Sequence, residues 1–406
     1  MDTIISSGKK HTMSDLYQMQ GMPLDVKVKM TLRRIQEWYE AYNGNVYVSF
    51  SGGKDSTVLL DLARHIYPDM KAVFFNTGIE HPSVIRFVKT IPNTIIIKPK
   101  KTFISIIKRY GYPIVSKENA LVISEARNKI RQILKVEPYK LGGGTELLDF
   151  CLSKANEYTR FAQFAGCYRS KEQLNGMANP CTPTKSMLNK TNWRFMLVAP
   201  FDVSSTCCYY LKKSLGHNYS KQTGCMPITA TMASESVART QKWLKNGCNS
   251  FDLENPISNP MSYWTEQDVL QYIYTNHIEI APAYGEVIKV GGSDGEYGQL
   301  GLFDLELPTF ETTKAHRTGC FPCGFGMHLE KVSRLQTMID NGDGNLVDWM
   351  LRGGAFTPED GLWRPKGGLG MYFVLKWMNV HGNLKIFLPD EDKYYKALPD
   401  EAKGML

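Results

Sequence analysis

The chain has 406 residues and a formal net charge of +8, with 43% hydrophobic and 22% charged residues. This length predicts two to three domains, and this composition allows a sizeable hydrophobic core. The sequence has no long apolar run and no apolar signal region near its N-terminus, so we expect neither a membrane span nor secretion. The modest basic excess suits an anionic ligand, and it does not decide between a nucleotide and a nucleic acid.

Cysteine usage is the second compositional signal. The chain has nine cysteines and no visible secretory signal. This combination indicates metal ligands, catalytic thiols or core residues rather than a disulfide framework. We therefore expect a cytoplasmic protein.

Strand and helix patterns alternate along the first part of the chain. Short buried apolar runs predict strands at residues 45–50, 71–75 and 94–97. Helical spacing of apolar residues predicts helices at residues 26–42, 82–90 and 103–110. It predicts one more helix after the first strand and the loop that follows that strand. Such alternation with short links predicts an α/β fold with a doubly wound, mainly parallel sheet and helices on both faces.

The rest of the chain is divided by the same patterns. Residues 1–25 are polar, and we expect a flexible N-terminus there. Residues 26–330 are predicted to form the main domain, with a largely helical insertion at 116–200, and residues 331–406 to form a C-terminal helical appendage. Within the main domain, the patterns predict a strand at 226–231 and helices at 234–245 and 265–276, the last capped by Thr265.

A glycine-rich loop joins the first predicted strand to the helix that follows. Its sequence is Ser51-Gly52-Gly53-Lys54-Asp55-Ser56. Two glycines allow the backbone to approach an anion closely, and the start of the helix adds a favourable dipole. In such a loop Lys54 would neutralise phosphate charge, and Asp55 would hold Mg²⁺ or orient the loop. The alternative is a tight strand-to-helix turn with a solvated Lys54, and the loop matches neither the Walker A nor the dinucleotide-binding pattern.

Residues 48–56 resemble the PP-loop of adenine nucleotide α-hydrolase-like proteins, and most of all that of the phosphoadenosine phosphosulfate (PAPS) reductase family. The run Asn76-Thr77-Gly78 resembles the second loop of that family. Residues 256–257 and 264–269 resemble its P-[LI]…W-T-x-x-D-V segment, so the similarity covers about residues 26–330. The resemblance implies that ATP or a PAPS-like nucleotide binds at Ser49, the glycine-rich loop and this second loop.

Four cysteines form two close pairs, Cys207-Cys208 and Cys320-x-x-Cys323. Four thiolates can enclose a [4Fe–4S] cluster or a zinc ion. The pattern resembles the iron–sulfur subgroup of the sulfonucleotide reductases, in which a lysine follows the first pair as Lys212 does here. We favour the cluster, with zinc or unligated buried thiols as the alternatives.

A further element resembles the anion-binding part of the family. The run from Glu235 and Ser236 to Arg239 is similar to its E-S-x-x-R pattern, in which the arginine would clamp a phosphate or sulfate. On charge alone, Arg239 would equally be an exposed helix arginine. Arg317, which precedes the C-x-x-C motif, is expected to face the same pocket. Weaker candidates are His316, Glu80 and His81.

The resemblance to sulfonucleotide reductases fails at the C-terminus. Those enzymes use a cysteine in an E-C-G-x-H tail, whereas no cysteine follows Cys323 in this sequence. The glycine-rich loop and the four cysteines also resemble those of PAPS reductase-like ATP pyrophosphatases, which activate a substrate by adenylation. We therefore expect an ATP pyrophosphatase in iron–sulfur-dependent sulfur chemistry, with a sulfur donor or a nucleic-acid acceptor as partner. Its catalytic residues would be Lys54, Asp55, Lys212 and Arg239.

Two other functions stay open. One is a sulfonucleotide reductase whose thiol comes from Cys167, from Cys181 or from another protein. The other is a non-catalytic, nucleotide-sensing subunit of a nucleic-acid modification or defence complex. The sequence does not indicate the oligomeric state.

Overall fold

The computed structural model describes residues 10–142, 145–155, 157–165, 192–291 and 308–406. These residues belong to two compact units. The first unit draws on residues 1–100 and 210–321, and the second on residues 101–209 and 322–406. The segments expected to be an insertion and a C-terminal appendage therefore share one unit, and the expected boundary after residue 330 lies inside it.

The strands and helices of the described residues have the following bounds. The strands are β1 (Val46–Ser49), β2 (Ala72–Phe75), β3 (Thr94–Ile97), β4 (Ile114–Val115), β5 (Met226–Ile228), β6 (Asn249–Ser250), β7 (Ile257–Ser258), β8 (Val287–Val290), β9 (Thr309–Thr312), β10 (Gly324–Phe325), β11 (Ala355–Phe356) and β12 (Trp363–Arg364). The α-helices of the first unit are Met13–Gln20, Leu24–Ala41, Lys54–Ile66, Pro82–Thr90, Ser214–Thr223, Val237–Asn246 and Glu266–Asn276. The α-helices of the second unit are Phe103–Tyr110, Lys117–Leu134, Thr145–Ser153, Thr159–Ala165, Thr206–Cys208, Arg334–Asp340, Gly344–Leu351, Met371–Gly382, Glu391–Lys396 and Asp400–Lys403.

The first unit is built on a six-stranded sheet with the order β3-β2-β1-β5-β7-β6. All neighbouring strands are parallel except β6 and β7, which are antiparallel. This confirms the predicted mainly parallel α/β sheet. The chain runs outward from β1 to β3 and then continues on the other side of β1 with β5. In such sheets, ligands bind at the carboxyl ends of the two strands where the order reverses, which here are β1 and β5.

The W-T-x-x-D-V segment holds two helices of this unit together. Trp264 is fully buried and its indole N–H donates to the Thr31 hydroxyl at 2.9 Å. The Lys27 ammonium and the Asp268 carboxylate form a buried ion pair at 2.7 Å. The same carboxylate accepts from the Thr265 backbone N–H at 2.7 Å, which closes a capping box. Helix Glu266–Asn276 therefore begins where the sequence predicted, and the motif has a structural role.

The N-terminal segment differs from the expected flexible tail. Helix Met13–Gln20 begins with a capping box formed by Thr12 and Asp15. The His11 backbone N–H donates to the Leu244 carbonyl at 3.0 Å, and its ring stacks on Trp243 with ring centroids 4.6 Å apart. A polar composition indicated disorder, whereas local capping and these packing contacts order residues 10–25.

The second unit combines distant parts of the chain. Strand β10 pairs in parallel with β4. The Tyr112 hydroxyl donates to the Leu369 carbonyl at 2.8 Å. The fully buried Arg127 donates to the carbonyls of Met196, Leu197 and Ala199. The first two contacts join residues 101–209 to the C-terminal segment, and Arg127 ties together parts of residues 101–209.

Candidate nucleotide-binding site

The glycine-rich loop lies between β1 and helix Lys54–Ile66, and its shape is set by packing. Gly52 has a φ of +71°, and a Cβ there would lie 2.7 Å from methyl carbons of both Val84 and Val88. Glycine is thus required at this position by conformation and by space. Gly53 has an ordinary extended backbone, and a Cβ there would lie 3.1 Å from the Tyr284 hydroxyl.

Serine hydroxyls close the loop from within. The Ser51 backbone N–H donates to the Ser56 hydroxyl at 3.1 Å, and that hydroxyl donates to the Gly53 carbonyl at 2.9 Å. The Ser51 and Ser56 hydroxyls are 3.0 Å apart. The loop is therefore preorganised by its own side chains, and the exposed Ser51 is available to a ligand.

Lys54 does not point into a cavity. Its side chain is only 3% exposed, and the ammonium lies 2.9 Å from the Glu266 carboxylate. It also donates to the His316 carbonyl at 2.8 Å. In this structure the ammonium thus ties the loop to helix Glu266–Asn276, and its contact with phosphate stays a prediction.

Asp55, the next residue, has an unsatisfied atom. Its Oδ1 is buried and has no hydrogen-bond partner among the described residues, and the Lys54 ammonium lies 3.9 Å from it. Burial raises the pKa of this carboxyl, and the nearby charges of Lys54, Arg317 and Arg239 oppose that rise. An orphaned carboxylate oxygen beside a phosphate loop is a candidate cation ligand.

Two connected cavities lie beside this loop. A smaller one of about 290 Å³, the polar cavity, is lined by the loop and by charged side chains. A larger one of about 550 Å³, the apolar cavity, is lined by the sheet and by helix Ser214–Thr223. Both are lined by Ser49, Ser51, Glu80, Lys212 and Thr229. The two cavities therefore form one cleft at the ends of β1 and β5, where the sheet topology places a ligand.

The predicted site residues divide into two groups. Those that line the polar cavity are Ser49, Ser51, Asp55, Ser56, Lys212, Glu235 and Arg239. Those that line neither cavity are Gly52, Gly53, Lys54, Asn76, Thr77, Gly78, Ser236 and Arg317. The polar cavity thus combines three carboxylates (Asp55, Glu80 and Glu235) with two cations (Lys212 and Arg239).

The second loop, residues 76–78, holds the side chain of Glu80 at the cleft. The backbone N–H and the hydroxyl of Thr77 donate to the two carboxylate oxygens of Glu80, at 3.0 and 2.7 Å. The Gly78 backbone N–H donates to the Asn76 side chain at 2.9 Å, which fixes the turn. Glu80 is 6% exposed and lies 3.5 Å from the Lys212 ammonium. Glu80 was a weak candidate from the sequence, and the structure brings it to the cleft; a glutamate three residues after a loop threonine is its signal in the sequence.

Lys212 is presented by an unusual helical turn. Residues Tyr209–Lys213 form a π-helical turn between helices Thr206–Cys208 and Ser214–Thr223. Such turns occur often at functional sites because they redirect side chains. This one follows the cysteine pair directly and leaves Lys212 lining both cavities.

The E-S-x-x-R element forms a cap and an ion pair. Ser236 is extended and caps helix Val237–Asn246, which breaks the helix predicted at residues 234–245. Glu235 accepts from the Met232 backbone N–H at 3.1 Å and forms an ion pair with Arg239. Burial and the charge of Arg317 lower the pKa of Arg239. Arg239 therefore lines the polar cavity while it is paired with Glu235. Arg317 lines neither cavity, and its charge contributes to the lowered pKa of Arg239.

The apolar cavity has the size and character of a small-molecule site. Its walls include Tyr47, Phe74 and Phe75 on the sheet, and Ile257. Gly216 supplies part of the facing helix. Small-molecule sites are concave and mainly apolar with a few polar groups, and 550 Å³ lies within their usual range.

The four predicted metal-ligating cysteines are divided between the units. Cys207, Cys208 and Cys323 belong to the second unit and Cys320 to the first. Cys320 pairs with Glu80 in an antiparallel β-bridge. Within the described ranges, no group of three or more His, Cys, Asp or Glu residues is placed to hold a metal ion. The cluster and its zinc alternative thus stay predictions.

Cys167 and Cys181, the alternative thiols, lie outside the described residues. In the part of the chain that the structure describes, no helix is both long enough and apolar enough to cross a bilayer.

A phosphate loop at the reversal point of a parallel sheet is the arrangement of the PP-loop nucleotide-binding proteins. Residues 45–324 match the model of the phosphoadenosine phosphosulfate reductase domain family. The chain belongs to this family, as the sequence motifs predicted.

Individual relatives match over shorter stretches. A sulfate adenylyltransferase subunit 2 of Shewanella baltica is 34% identical over 104 residues, which is 22% of this chain and 34% of the relative. An uncharacterized protein of Methanocaldococcus jannaschii is 34% identical over 93 residues, which is 21% of this chain and 22% of the relative. The chain thus matches about a fifth to a third of the length of these relatives.

Among solved structures, the PAPS reductase of Candida auris in complex with phosphate matches with a TM-score of 0.32 and 12% identity. The match covers 68% of this chain and 92% of that chain.

The two loop glycines should respond differently to substitution. We expect Gly53→Val to weaken ATP binding about tenfold or more, or ~1.4 kcal/mol, because the side chain would displace the Tyr284 hydroxyl and that of Ser51, which lines the cleft. Gly52→Val should instead lower the melting temperature by several degrees, because it collides with Val84 and Val88. Calorimetric titration and thermal unfolding measure both effects. Equal ATP affinity in wild type and Gly53→Val would contradict the site.

Glu235 should compete with a bound anion for Arg239. We expect Glu235→Gln to strengthen binding of inorganic pyrophosphate about tenfold, or ~1.4 kcal/mol, since it removes a negative charge and releases the guanidinium. Glu254→Gln, at the apolar cavity, is the matched control and should have little effect. Isothermal titration measures the affinity, and unchanged or weaker binding by Glu235→Gln would show that Arg239 does not meet the anion.

Proposed function

We propose that this chain binds ATP together with Mg²⁺ in the cleft and cleaves it between the α and β phosphates to adenylate an acceptor. The polar cavity would hold the phosphates and the apolar cavity the nucleoside. Family membership, the preformed loop and the two connected cavities support nucleotide binding. The charged side chains that line the polar cavity favour ATP with Mg²⁺ over a free sulfonucleotide.

The polar cavity contains more carboxylates than cations. Asp55, Glu80 and Glu235 face Lys212 and Arg239, so the cavity is not an anion site by net charge. A free sulfonucleotide, which carries several negative charges, would be repelled by these carboxylates. A nucleotide accompanied by a divalent cation suits them, since magnesium sites commonly combine one or two carboxylates with substrate phosphates and water.

Asp55 is the residue that fits Mg²⁺, because its Oδ1 is buried without a hydrogen-bond partner and the Lys54 ammonium lies as far as 3.9 Å from it. Bound there, the ion would neutralise phosphate charge. Since no group of three ligating side chains occurs in the described ranges, its other ligands would come from phosphates and water.

The cations of the cavity would stabilise the charge that develops on transfer. A nucleophilic group of the acceptor attacks the α-phosphorus, the bond to the bridging oxygen of the β-phosphate breaks, and pyrophosphate leaves with the electron pair. Lys212 and Arg239 can compensate charge on the phosphate oxygens, while the preorganised loop orients them. Orientation and fixed charges supply much of the catalysis in such reactions.

The relatives support a role in sulfur metabolism. Several of them are named sulfate adenylyltransferase subunit 2, an enzyme of adenylyl transfer whose name implies a second subunit. By analogy, this chain would activate its acceptor for sulfur chemistry, with a sulfur donor or partner subunit. A [4Fe–4S] cluster on Cys207, Cys208, Cys320 and Cys323 is part of this proposal, by the chemistry of the donor set.

A sulfonucleotide reductase is the second candidate, and the family model that matches favours it. Such an enzyme would release sulfite from PAPS or adenylyl sulfate, and it would need a thiol that reaches the cleft. The two candidates differ in product and in metal requirement.

The reaction is tested by product analysis. With ATP, Mg²⁺ and acceptor candidates, we expect pyrophosphate release that stops when the divalent cation is chelated, because the carboxylates then repel the phosphates. Asp55→Asn should lower the rate at least about tenfold by removing the proposed ligand. Asp61→Asn, on the same helix, is the control. Sulfite release from PAPS with a thiol reductant, and no pyrophosphate from ATP, would establish the second candidate instead.

The cysteine proposal is tested separately. Anaerobically purified protein should be brown and contain about four irons per chain, as one Cys₄-ligated cluster requires. Cys208→Ser or Cys323→Ser should bleach it, whereas Cys248→Ser, a buried thiol outside the set, should not. Metal analysis and absorption spectra give the answer, and a colourless protein with stoichiometric zinc would contradict the cluster.

A further inference from the structure

The two faces of the sheet in the first unit are packed differently. Neighbouring residues of a strand point to opposite faces, and the face of Val48 belongs to a large buried core. On the opposite face, the buried cluster consists of Tyr47, Val73 and Cys225, with partly buried side chains around it. This second face therefore has a small core, and its rings Tyr47 and Phe75 line the apolar cavity.

The helix that lies against this second face is Ser214–Thr223, and none of its residues is buried. A helix on the surface of a globular domain normally buries an apolar stripe, with residues three and four positions apart on the same side. In this helix Tyr219 contacts the sheet, with its ring edge-on to Tyr47 and the ring centroids 5.0 Å apart. One turn earlier, three positions before Tyr219, the residue is Gly216. The helix thus has no side chain at a position that faces the sheet.

Neither backbone conformation nor crowding requires glycine at position 216. The residue lies within the helix, where any amino acid adopts the same backbone angles. A Cβ there would lie 3.8 Å from two carbons of the Phe75 ring and 3.9 Å from the Tyr47 hydroxyl, which are ordinary van der Waals distances. Alanine would therefore fit, and it favours a helix more than glycine does. What the glycine does provide is free space in the apolar cavity, which Gly216, Phe75 and Tyr47 all line.

Phe75 supplies an aromatic surface in this space. Its side chain is half-buried, and among the described residues it takes part in no ring–ring pair. Aromatic bases pack well on such rings, whatever their sequence of substituents. The apolar cavity also joins the polar cavity at Ser51, so a base at Phe75 and phosphates at the glycine-rich loop can belong to one nucleotide.

We infer that Gly216 is a specificity-determining residue: the base of the nucleotide packs against Phe75 in the apolar cavity, and a side chain at position 216 would occupy the room that the base needs. This inference deepens the proposed function and rests on it, since it names the residue that admits the base. The bound base would complete the small core of this sheet face and hold helix Ser214–Thr223 on it. A chain of phosphates without a base would bind at the loop and leave the helix unchanged.

The test compares ATP with inorganic tripolyphosphate, which has the phosphates and no base, by calorimetric titration of the full chain with Mg²⁺. We expect Gly216→Leu to weaken ATP binding at least about tenfold, because leucine fills the cavity, and to change tripolyphosphate binding less than about twofold. Gln222→Leu is the matched control, since Gln222 is exposed on the same helix and lines neither cavity. It should bind both ligands like the wild type.

Two further measurements separate a lost base site from a damaged fold. Gly216→Ala should weaken ATP binding about threefold and yet melt no earlier than the wild type, because alanine favours the helix. Hydrogen exchange of the wild type should slow at the amides of helix Ser214–Thr223 when ATP binds, and tripolyphosphate should not slow it. If circular dichroism shows that Gly216→Leu is misfolded, Gly216→Ala takes its place in the titrations.

Three results would overturn the inference although ATP binds to the wild type. One is an unchanged ATP affinity in the Gly216 variants. Another is a loss of ATP affinity that tripolyphosphate or the Gln222→Leu control shares equally, since the effect would then not concern the base. The third is hydrogen exchange of the helix that ATP does not alter. Absence of ATP binding in the wild type would instead contradict the proposed function on which the inference rests.

Discussion

The close approach of Gly52 to helix Pro82–Thr90 sets the geometry on which the cleft depends. No side chain fits between this glycine and the methyl groups of Val84 and Val88, and the backbone there takes a positive φ. The loop is therefore shaped by the packed core rather than by a ligand. Its own hydroxyls then complete the turn, so that Ser51 and Asp55 face the cavity before any nucleotide arrives.

Local signals explain which parts of the fold could be predicted. The helix predicted at residues 82–90 has these bounds in the structure, where Pro82 takes the first turn and His81 caps the helix. Helix Glu266–Asn276 was predicted from the capping residue Thr265. The strand predicted at residues 226–231 ends at Ile228, since the threonines that follow turn toward the cleft and bind each other's hydroxyls. Composition alone misjudged residues 10–25, where a capping box and an aromatic stack impose order.

Long-range contacts explain what the sequence could not show about the site. The motif indicated that Lys54 belongs to a phosphate loop, yet its ammonium is bound to a carbonyl 262 positions away and to Glu266. Glu80 gained its place at the cleft because Thr77 holds both of its carboxylate oxygens. The pairing of Glu235 with Arg239 places a carboxylate beside the guanidinium in the polar cavity. Of these contacts, those of Lys54 join distant positions, whereas those of Glu80 and Glu235 span three and four positions and are local signals.

The central claim is that an adenine nucleotide occupies the cleft of the first unit. Photolabelling with an azido-adenine analogue of ATP, followed by peptide mapping, tests it most directly. The account predicts that the label falls on peptides that line the apolar cavity, around Phe75 or Gly216, and that excess ATP with Mg²⁺ suppresses it. A label confined to the second unit, or one that ATP does not suppress, would contradict the account.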